Sequence, residues 1–204
     1  SGWIGGALED DMHRFHLRFD HDVGRITRAY AEALRHPWSA CPGAAPHIAS
    51  ELTGALLADV AARDPAQHCT HLYDLAVVLA AHAGDTRPTQ FDMRVADRVE
   101  ERTTATLTEN GAEVLRWQLD DTAITGGDHA GQDLRKLSGW KQTLPPREAE
   151  RATMLRRAVF ISDTHIAGPD YACCHESTDQ DNASIVKTSD RLREVVRRIN
   201  AIEP

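Results

Sequence analysis

The sequence predicts a single α+β domain, an antiparallel sheet of hairpins packed against two or three helices. Three observations carry that prediction. Residues 12–20 alternate apolar and polar side chains and run into a turn, His21-Asp22-Val23-Gly24. Residues 103–107 and 114–119 flank Glu109-Asn110-Gly111, and Asn-Gly is a strong hairpin signal. Between these two regions lies an apolar run of helical length, residues 72–82. A chain of 204 residues with 41% hydrophobic content has one domain as its default and enough mass for a real core.

The elements follow in order. On residues 12–20, His13, Phe15, Leu17 and Phe19 share one face, and Arg14, His16 and Arg18 share the other. His13 therefore opens an inward-facing row. Residues 25–34 read as the returning strand. Pro42 suits the first position of a short helix over residues 42–54, which places Cys41 at its N-cap. A helix N-terminus carries free N–H groups and partial positive charge, and both lower a thiol pKa. Residues 55–66 are helical in part.

The next helix runs from His68 to about residue 83 and stops at Gly84. At 3.6 residues per turn, His68, His71, Leu72, Leu75, Leu79 and His82 fall along one stripe. Two imidazoles at i and i+3 then point the same way beside Cys69, at the head of a mostly buried helix. Imidazole titrates near neutral pH and binds metals, so this stretch marks a candidate site.

A β region follows, with Phe91, Met93 and Val95 alternating and Leu115, Trp117 and Leu119 facing the core. Residues 126–131 read as a flexible loop carrying Asp128 and His129. Pro145-Pro146 begins a helix that ends near residue 161, and its Arg151, Arg156 and Arg157 read as a solvated face. Residues 163–184 lack periodicity and read as a long loop or lid holding His165, Cys173, Cys174 and His175. A final amphipathic helix over residues 188–202 shows Leu192, Val195, Val196 and Ile199 on one face. The expected organisation is a domain over residues 1–162, with residues 163–204 packed on it.

Composition narrows the function classes. The formal charge is −8, from 31 acidic and 23 basic residues, and no basic run forms the stripe expected of a nucleic-acid binder. No apolar run approaches the ~20 residues that span a bilayer. No signal peptide is visible, and the four cysteines, two of them adjacent, fit free or liganding thiols in a reducing cytoplasm. The phosphate-binding patterns G-x-G-x-x-G and G-x-x-x-x-G-K-[ST] are missing, as is the G-x-S-x-G nucleophile elbow.

Four readings fit the His/Cys/Asp set. The first is general acid–base catalysis, with His68, His71 and His13 converging on Asp74, one helical turn beyond His71. Trp38, Tyr73 and Trp140 would then wall a small aromatic or acyl substrate. The second is a zinc or iron site drawing on Cys41, Cys69, His68, His71 and His13. The third is nucleophilic catalysis by Cys41 or Cys69 with a nearby His as base. The fourth is structural, with His68 and His71 bonding core carbonyls at the helix head.

Several motifs also occur in a familiar order. These are Asp10-Asp11-Met12-His13, Gly24-Arg25-Ile26-Thr27, Pro37-Trp38-Ser39-Ala40-Cys41-Pro42-Gly43-Ala44 and Cys69-Thr70-His71-Leu72-Tyr73-Asp74-Leu75. Arg102-Thr103-Thr104-Ala105-Thr106-Leu107 and Arg156-Arg157-Ala158-Val159-Phe160-Ile161-Ser162 follow. Together they resemble the bacterial DUF2889 family, a domain of unknown function, over residues 8–162. The resemblance implies a shared fold and site without an assigned reaction, in bacteria that degrade aromatic compounds. The hairpin with Gly-Arg-Ile-Thr, followed by Cys41 and then Cys69 with its neighbouring His, is also similar to iron–sulfur cluster scaffold proteins. Of the three Cys those proteins use, Cys41 and Cys69 are matched.

The expectation that results is a cofactor-independent cytoplasmic enzyme, a lyase that cleaves a small fragment from an aromatic catabolite by retro-aldol-like proton transfer. His71 is the base, oriented by Asp74, and His13 or His68 is the acid. Cys41 stabilises developing negative charge, and Arg25 or Arg102 holds a phenolate or carboxylate. The alternative is a metal-binding protein using zinc or iron on Cys41, Cys69, His68 and His71. The expected partner is a small molecule, with a homodimer as the candidate assembly.

Overall fold

The computed structural model describes residues 1–39 and 41–161. The fold class is α+β, with antiparallel sheets packed on helices, as the sequence predicts. Contacts divide the chain into two compact units, Ser1–Thr86 and a second that begins at Arg87.

The first unit opens with β1 (Gly2–Glu9), β2 (Arg14–Asp22) and β3 (Arg25–Arg35), which form a sheet in that order. Strand β2 is central and pairs Phe19 with Ile4 on one side and Leu17 with Ala31 on the other. Its Phe15, Leu17 and Phe19 are fully buried, as the alternation requires. The β2–β3 turn holds Val23 at φ 45° and Gly24 at φ 75°. Two successive positive φ values give the hairpin turn whose twist matches the strands. Strand β1 was not evident in the sequence, because Gly2, Gly5 and Gly6 dilute its apolar alternation. Pairing with β2 supplies what intrinsic propensity does not.

Helix α1 (Cys41–Leu52) and helix α2 (Thr70–Ala81) follow, separated by short 3₁₀ turns at Leu57–Ala62 and Pro65–Gln67. Ile48 and Leu52 of α1 and Leu72, Tyr73, Leu75 and Leu79 of α2 close the core with the β2 row. Each such side chain contributes about 1.5–3 kcal/mol by leaving water. A Cβ at Gly6 would lie 3.0 Å from Leu79 Cδ2 and 3.5 Å from Leu75 Cδ1. The missing side chain is thus what lets α2 sit directly on β1.

Two helix starts differ from expectation. Cys41 is the first residue of α1 rather than its cap, a shift of one position. The second difference matters more. Cys69 is the N-cap of α2, at φ −60° and ψ 125°, and His68 is extended, at φ −131° and ψ 157°. His68 therefore precedes the helix, and helical spacing does not place it beside His71.

The second unit contains β4 (Phe91–Val95), β5 (Arg102–Glu109), β6 (Ala112–Asp120) and β7 (Ala123–Gly127) in a four-stranded antiparallel sheet of that order. Asn110 and Gly111 take φ 50° and 81°, the hairpin turn expected of Asn-Gly. Leu115, Trp117 and Leu119 face the core as predicted. Helix α3 (Leu137–Trp140) and helix α4 (Pro146–Ile161) cover that sheet, with Ala152, Leu155 and Val159 buried.

Residues 126–131 are not a free loop. Gly126 and Gly127 belong to β7, and Asp128 is held to Arg116 of β6 through both its backbone N–H, at 2.9 Å, and its carboxylate, at 2.8 Å. The α4 arginines are likewise more than a solvated face. Arg151 and Arg147 each reach Glu109 at 2.7 Å, and Arg156 Nε donates to Leu134 O at 2.7 Å. Among the described residues no helix is long and apolar enough to cross a membrane. The expected lid and final helix over residues 163–204, with Cys173, Cys174 and His175, lie outside the described residues.

Candidate functional site

The site is built from the β1–β2 connection and the head of α2. Asp10 turns the chain between the strands. Its Oδ1 accepts the backbone N–H of Met12 at 2.8 Å and of His13 at 2.6 Å, and its own N–H donates to His13 O at 3.0 Å. This is the self-bonded turn for which aspartate is favoured. The same carboxylate meets His13 Nδ1 at 3.0 and 3.1 Å, which fixes the ring of a nearly fully buried histidine. Arg35 Nη2 secures the turn from β3 by donating to the carbonyls of Asp10 and His13 and to Glu9 Oε1.

Helix α2 brings His71 onto this turn. Its ring stacks on His13 with centroids 3.9 Å apart and planes 29° from parallel, and Phe15 lies 5.9 Å away. His71 Nε2 is buried and stands 3.3 Å from Asp10 Oδ2. That approach is an ion-pair contact without the angle of a hydrogen bond. Cys69, a free thiol at the N-cap, interacts with His71.

The electrostatics follow from this packing. Burial pushes Asp10 up, but hydrogen bonding to His13, then the neighbouring His71 and the Met12 N–H, outweigh it and hold the carboxyl far below its usual range. Burial alone would make His71 less basic, yet the Asp10 carboxylate and the Cys69 sulfur raise it from 6.5 to about 9. Burial also opposes ionisation of Cys69. It is overcome by His71 and by the Leu72 and His71 backbone N–H groups at the start of α2, so the thiol pKa falls. At neutral pH His71 is therefore an imidazolium beside the Asp10 carboxylate and a Cys69 thiol of lowered pKa.

The sequence-predicted residues separate into several places. His13 and His71 come together, as expected. The carboxylate that raises His71 is Asp10, whereas the sequence pointed to Asp74 on α2. His68 belongs to another cluster. It stacks on Tyr73 with centroids 5.5 Å apart and planes 2° from parallel, and His47 lies 5.5 Å away. Burial, then the nearby His47 and Arg63 charges, make it less basic. Cys41 opens α1, half-buried against the core of the first unit.

The residues expected to bind substrate make the following contacts. The Tyr73 hydroxyl donates among the carbonyls of Arg63, Ala61 and Val60, at 2.9 to 3.3 Å. Arg25 donates to Gly54 O, and the Trp38 carbonyl accepts from the Cys41 N–H at 3.2 Å. Arg102 and Trp140 lie in the second unit, where Arg102 faces Asp120 at 3.6 Å and Trp140 Nε1 donates to Asp133 O at 3.0 Å.

Asp10 and Arg35 are the site residues that sequence reasoning missed. The Asp-x-x-His spacing was the available signal for Asp10, since an aspartate that bonds its own turn also meets a side chain three residues on.

Asp10, His13 and His71 each offer a ligand atom, and these atoms lie within 4.8 Å of one another. Two imidazoles and a carboxylate suit zinc or iron. Of the five residues named for a metal reading, His13 and His71 belong to this set, and Cys41, Cys69 and His68 do not. No protein-family model, curated protein or solved structure matches the chain.

Proposed function

We propose that the chain is an enzyme that works by proton transfer at a thiolate–imidazolium pair, Cys69 and His71, with Asp10 as the group that holds the imidazolium. The observation that supports it is the position of His71 between the Asp10 carboxylate and the Cys69 thiol. The roles differ from those the sequence suggested. An imidazole protonated up to about pH 9 acts as an acid at neutral pH. The base is then the Cys69 thiolate.

This pairing suits a lyase. In a retro-aldol cleavage the base takes a hydroxyl proton, a carbon–carbon bond breaks to a carbonyl and a carbanion, and an acid protonates the carbanion. Cys69 ends protonated and His71 neutral, and one proton passing from sulfur to imidazole restores the pair. The substrate class is a small β-hydroxy compound whose carbanion is stabilised by conjugation, as in an aromatic catabolite.

The test is site-resolved alkylation of Cys69 by iodoacetamide across pH, read by mass spectrometry. The expected profile rises well below the ordinary thiol range and returns to that range in His71→Ala. A wild-type profile that already follows an ordinary thiol would overturn the proposal.

The proximity of Asp10, His13 and His71 favours a second reading, a bound zinc or iron ion. Such an ion would have to displace the His13–Asp10 hydrogen bond. Stoichiometric metal in purified protein, lost in His13→Ala, supports this reading and removes the first. Metal-free folded protein with a reactive Cys69 does the reverse.

A further inference from the structure

A second histidine, in the other unit, sits in a geometry that depends on its charge. His129 lies in the turn after β7 at φ 59°, a left-handed conformation that costs a non-glycine residue about 1 kcal/mol. Its ring is turned inward. Trp117 Nε1–H, on β6, donates to His129 Nδ1 at 3.3 Å, and His129 Nε2 meets Glu148 Oε1, on α4, at 2.7 Å. The Trp140 ring, on α3, stands 5.0 Å away. Trp117 is fully buried in the core of this unit.

The two contacts together fix the tautomer. An indole N–H only donates, so Nδ1 must carry its lone pair. Nε2 must then carry the proton it shares with Glu148. A second proton can enter only at Nδ1, where it would confront the indole N–H. Protonation therefore removes the acceptor of the Trp117 bond. The Glu148 bond becomes charge-assisted and stronger.

We propose that His129 is a pH-sensitive latch, its ring bonded to both β6 and α4 when neutral and to α4 alone when protonated. Among the charged groups on the elements around it, Glu148 is the one that touches the ring. Asp128, in the same turn, is directed to the Arg116 backbone N–H at 2.8 Å. The Arg116 side chain on β6 is held by Glu113 at 2.5 Å, and Arg147 on α4 by Glu109 at 2.7 Å and Glu150 at 3.1 Å. Helix α3 carries no charge. The acidification that opens the β6 side thus has one carboxylate to draw His129 toward, and it lies on α4.

The test is NMR on the full chain, following the His129 ring signals and the hydrogen exchange of the Trp117 indole N–H between pH 8 and 5. Losing one buried hydrogen bond should raise that exchange roughly five- to tenfold beyond its intrinsic pH dependence, in step with His129 titration. His129→Gln, which stays neutral and can still accept and donate, should abolish the step. Trp117→Phe removes the opposing donor and should move the His129 midpoint upward. Indole exchange that ignores the His129 transition, or a step that persists in His129→Gln, would overturn the latch. So would a His129 midpoint unchanged in folded Trp117→Phe.

Discussion

The imidazoles of His13 and His71 lie face to face, 3.9 Å between centroids, and both meet the single carboxylate of Asp10. One negative charge thus serves two rings, and at His71 the Cys69 sulfur acts beside it to raise the imidazole.

Asp10→Asn keeps an acceptor for the turn but removes the charge. The expected result is a loss of about 2 kcal/mol in unfolding free energy, since charge-assisted bonds are the stronger ones. The His71 titration, followed by NMR, should fall from about 9 toward 6.5 or below. A His71 that titrates unchanged in the folded variant would show that Asp10 is not what raises it.

Stability should depend on pH in a defined direction. The folded His71 binds its proton more tightly than the unfolded one. Its contribution is therefore complete below 6.5 and fades as pH rises through about 9. Asp10, depressed in the fold, contributes fully above its unfolded value of 3.8 and loses that only in acid. Cys69, whose thiol is lowered in the fold, gains stability over the same window and offsets this loss in the wild type. Urea titrations of Cys69→Ser, which lacks the thiol, should therefore show a decline on the order of 2 kcal/mol between pH 6.5 and 9, absent in the Asp10→Asn/Cys69→Ser double variant. A flat profile in Cys69→Ser would count against the Asp10–His71 ion pair.

His68→Ala should leave both the His71 titration and Cys69 alkylation unchanged, because His68 stacks on Tyr73 and stands before the helix. Its effect is a modest stability loss of about 1 kcal/mol from the lost ring contact. A change in Cys69 reactivity would return His68 to the site.

This separation shows what the sequence could convey. Alternation gave β2, and Asn-Gly gave the β5–β6 hairpin, because both are local signals with one physical cause each. The meeting of His13 with His71 was inferred only from the order of the motifs, since it is a tertiary contact. The carboxylate was assigned to Asp74 because helical spacing reveals neighbours on one element only. Asp10 reaches His71 through tertiary packing, which periodicity does not encode. His68 was misplaced by two residues of helix start, where caps decide and patterns do not.

Gly6→Val tests the packing that brings the site together. A Cβ there already meets Leu79 Cδ2 at 3.0 Å, so a branched side chain must lift α2 away from β1. We expect a stability loss of about 1–3 kcal/mol, together with a lower His71 pKa as its distance from Asp10 grows. Lost stability with an unchanged His71 would mean that the helix head stays in place.

Gly127 gives a control in the other unit. A Cβ would stand 2.3 Å from Arg116 O, at φ 79°, so Gly127→Ala should cost more than about 2 kcal/mol. Urea denaturation measures it, and a loss below about 0.5 kcal/mol would contradict the close approach of β7 to β6.

The Asp10–His13 turn spans four residues, whereas the His13–His71 stack joins positions nearly 60 apart in the chain. Closing so long a loop is slow beside forming a turn, so the two halves of the site arise at different stages of folding. The aspartate and its first histidine can be paired in a chain that has made only its first hairpin. The second histidine arrives when α2 docks, and with it the elevated basicity. A nascent chain would therefore carry an ordinary cysteine at position 69 until α2 docks, and reactivity at that thiol would report the docking.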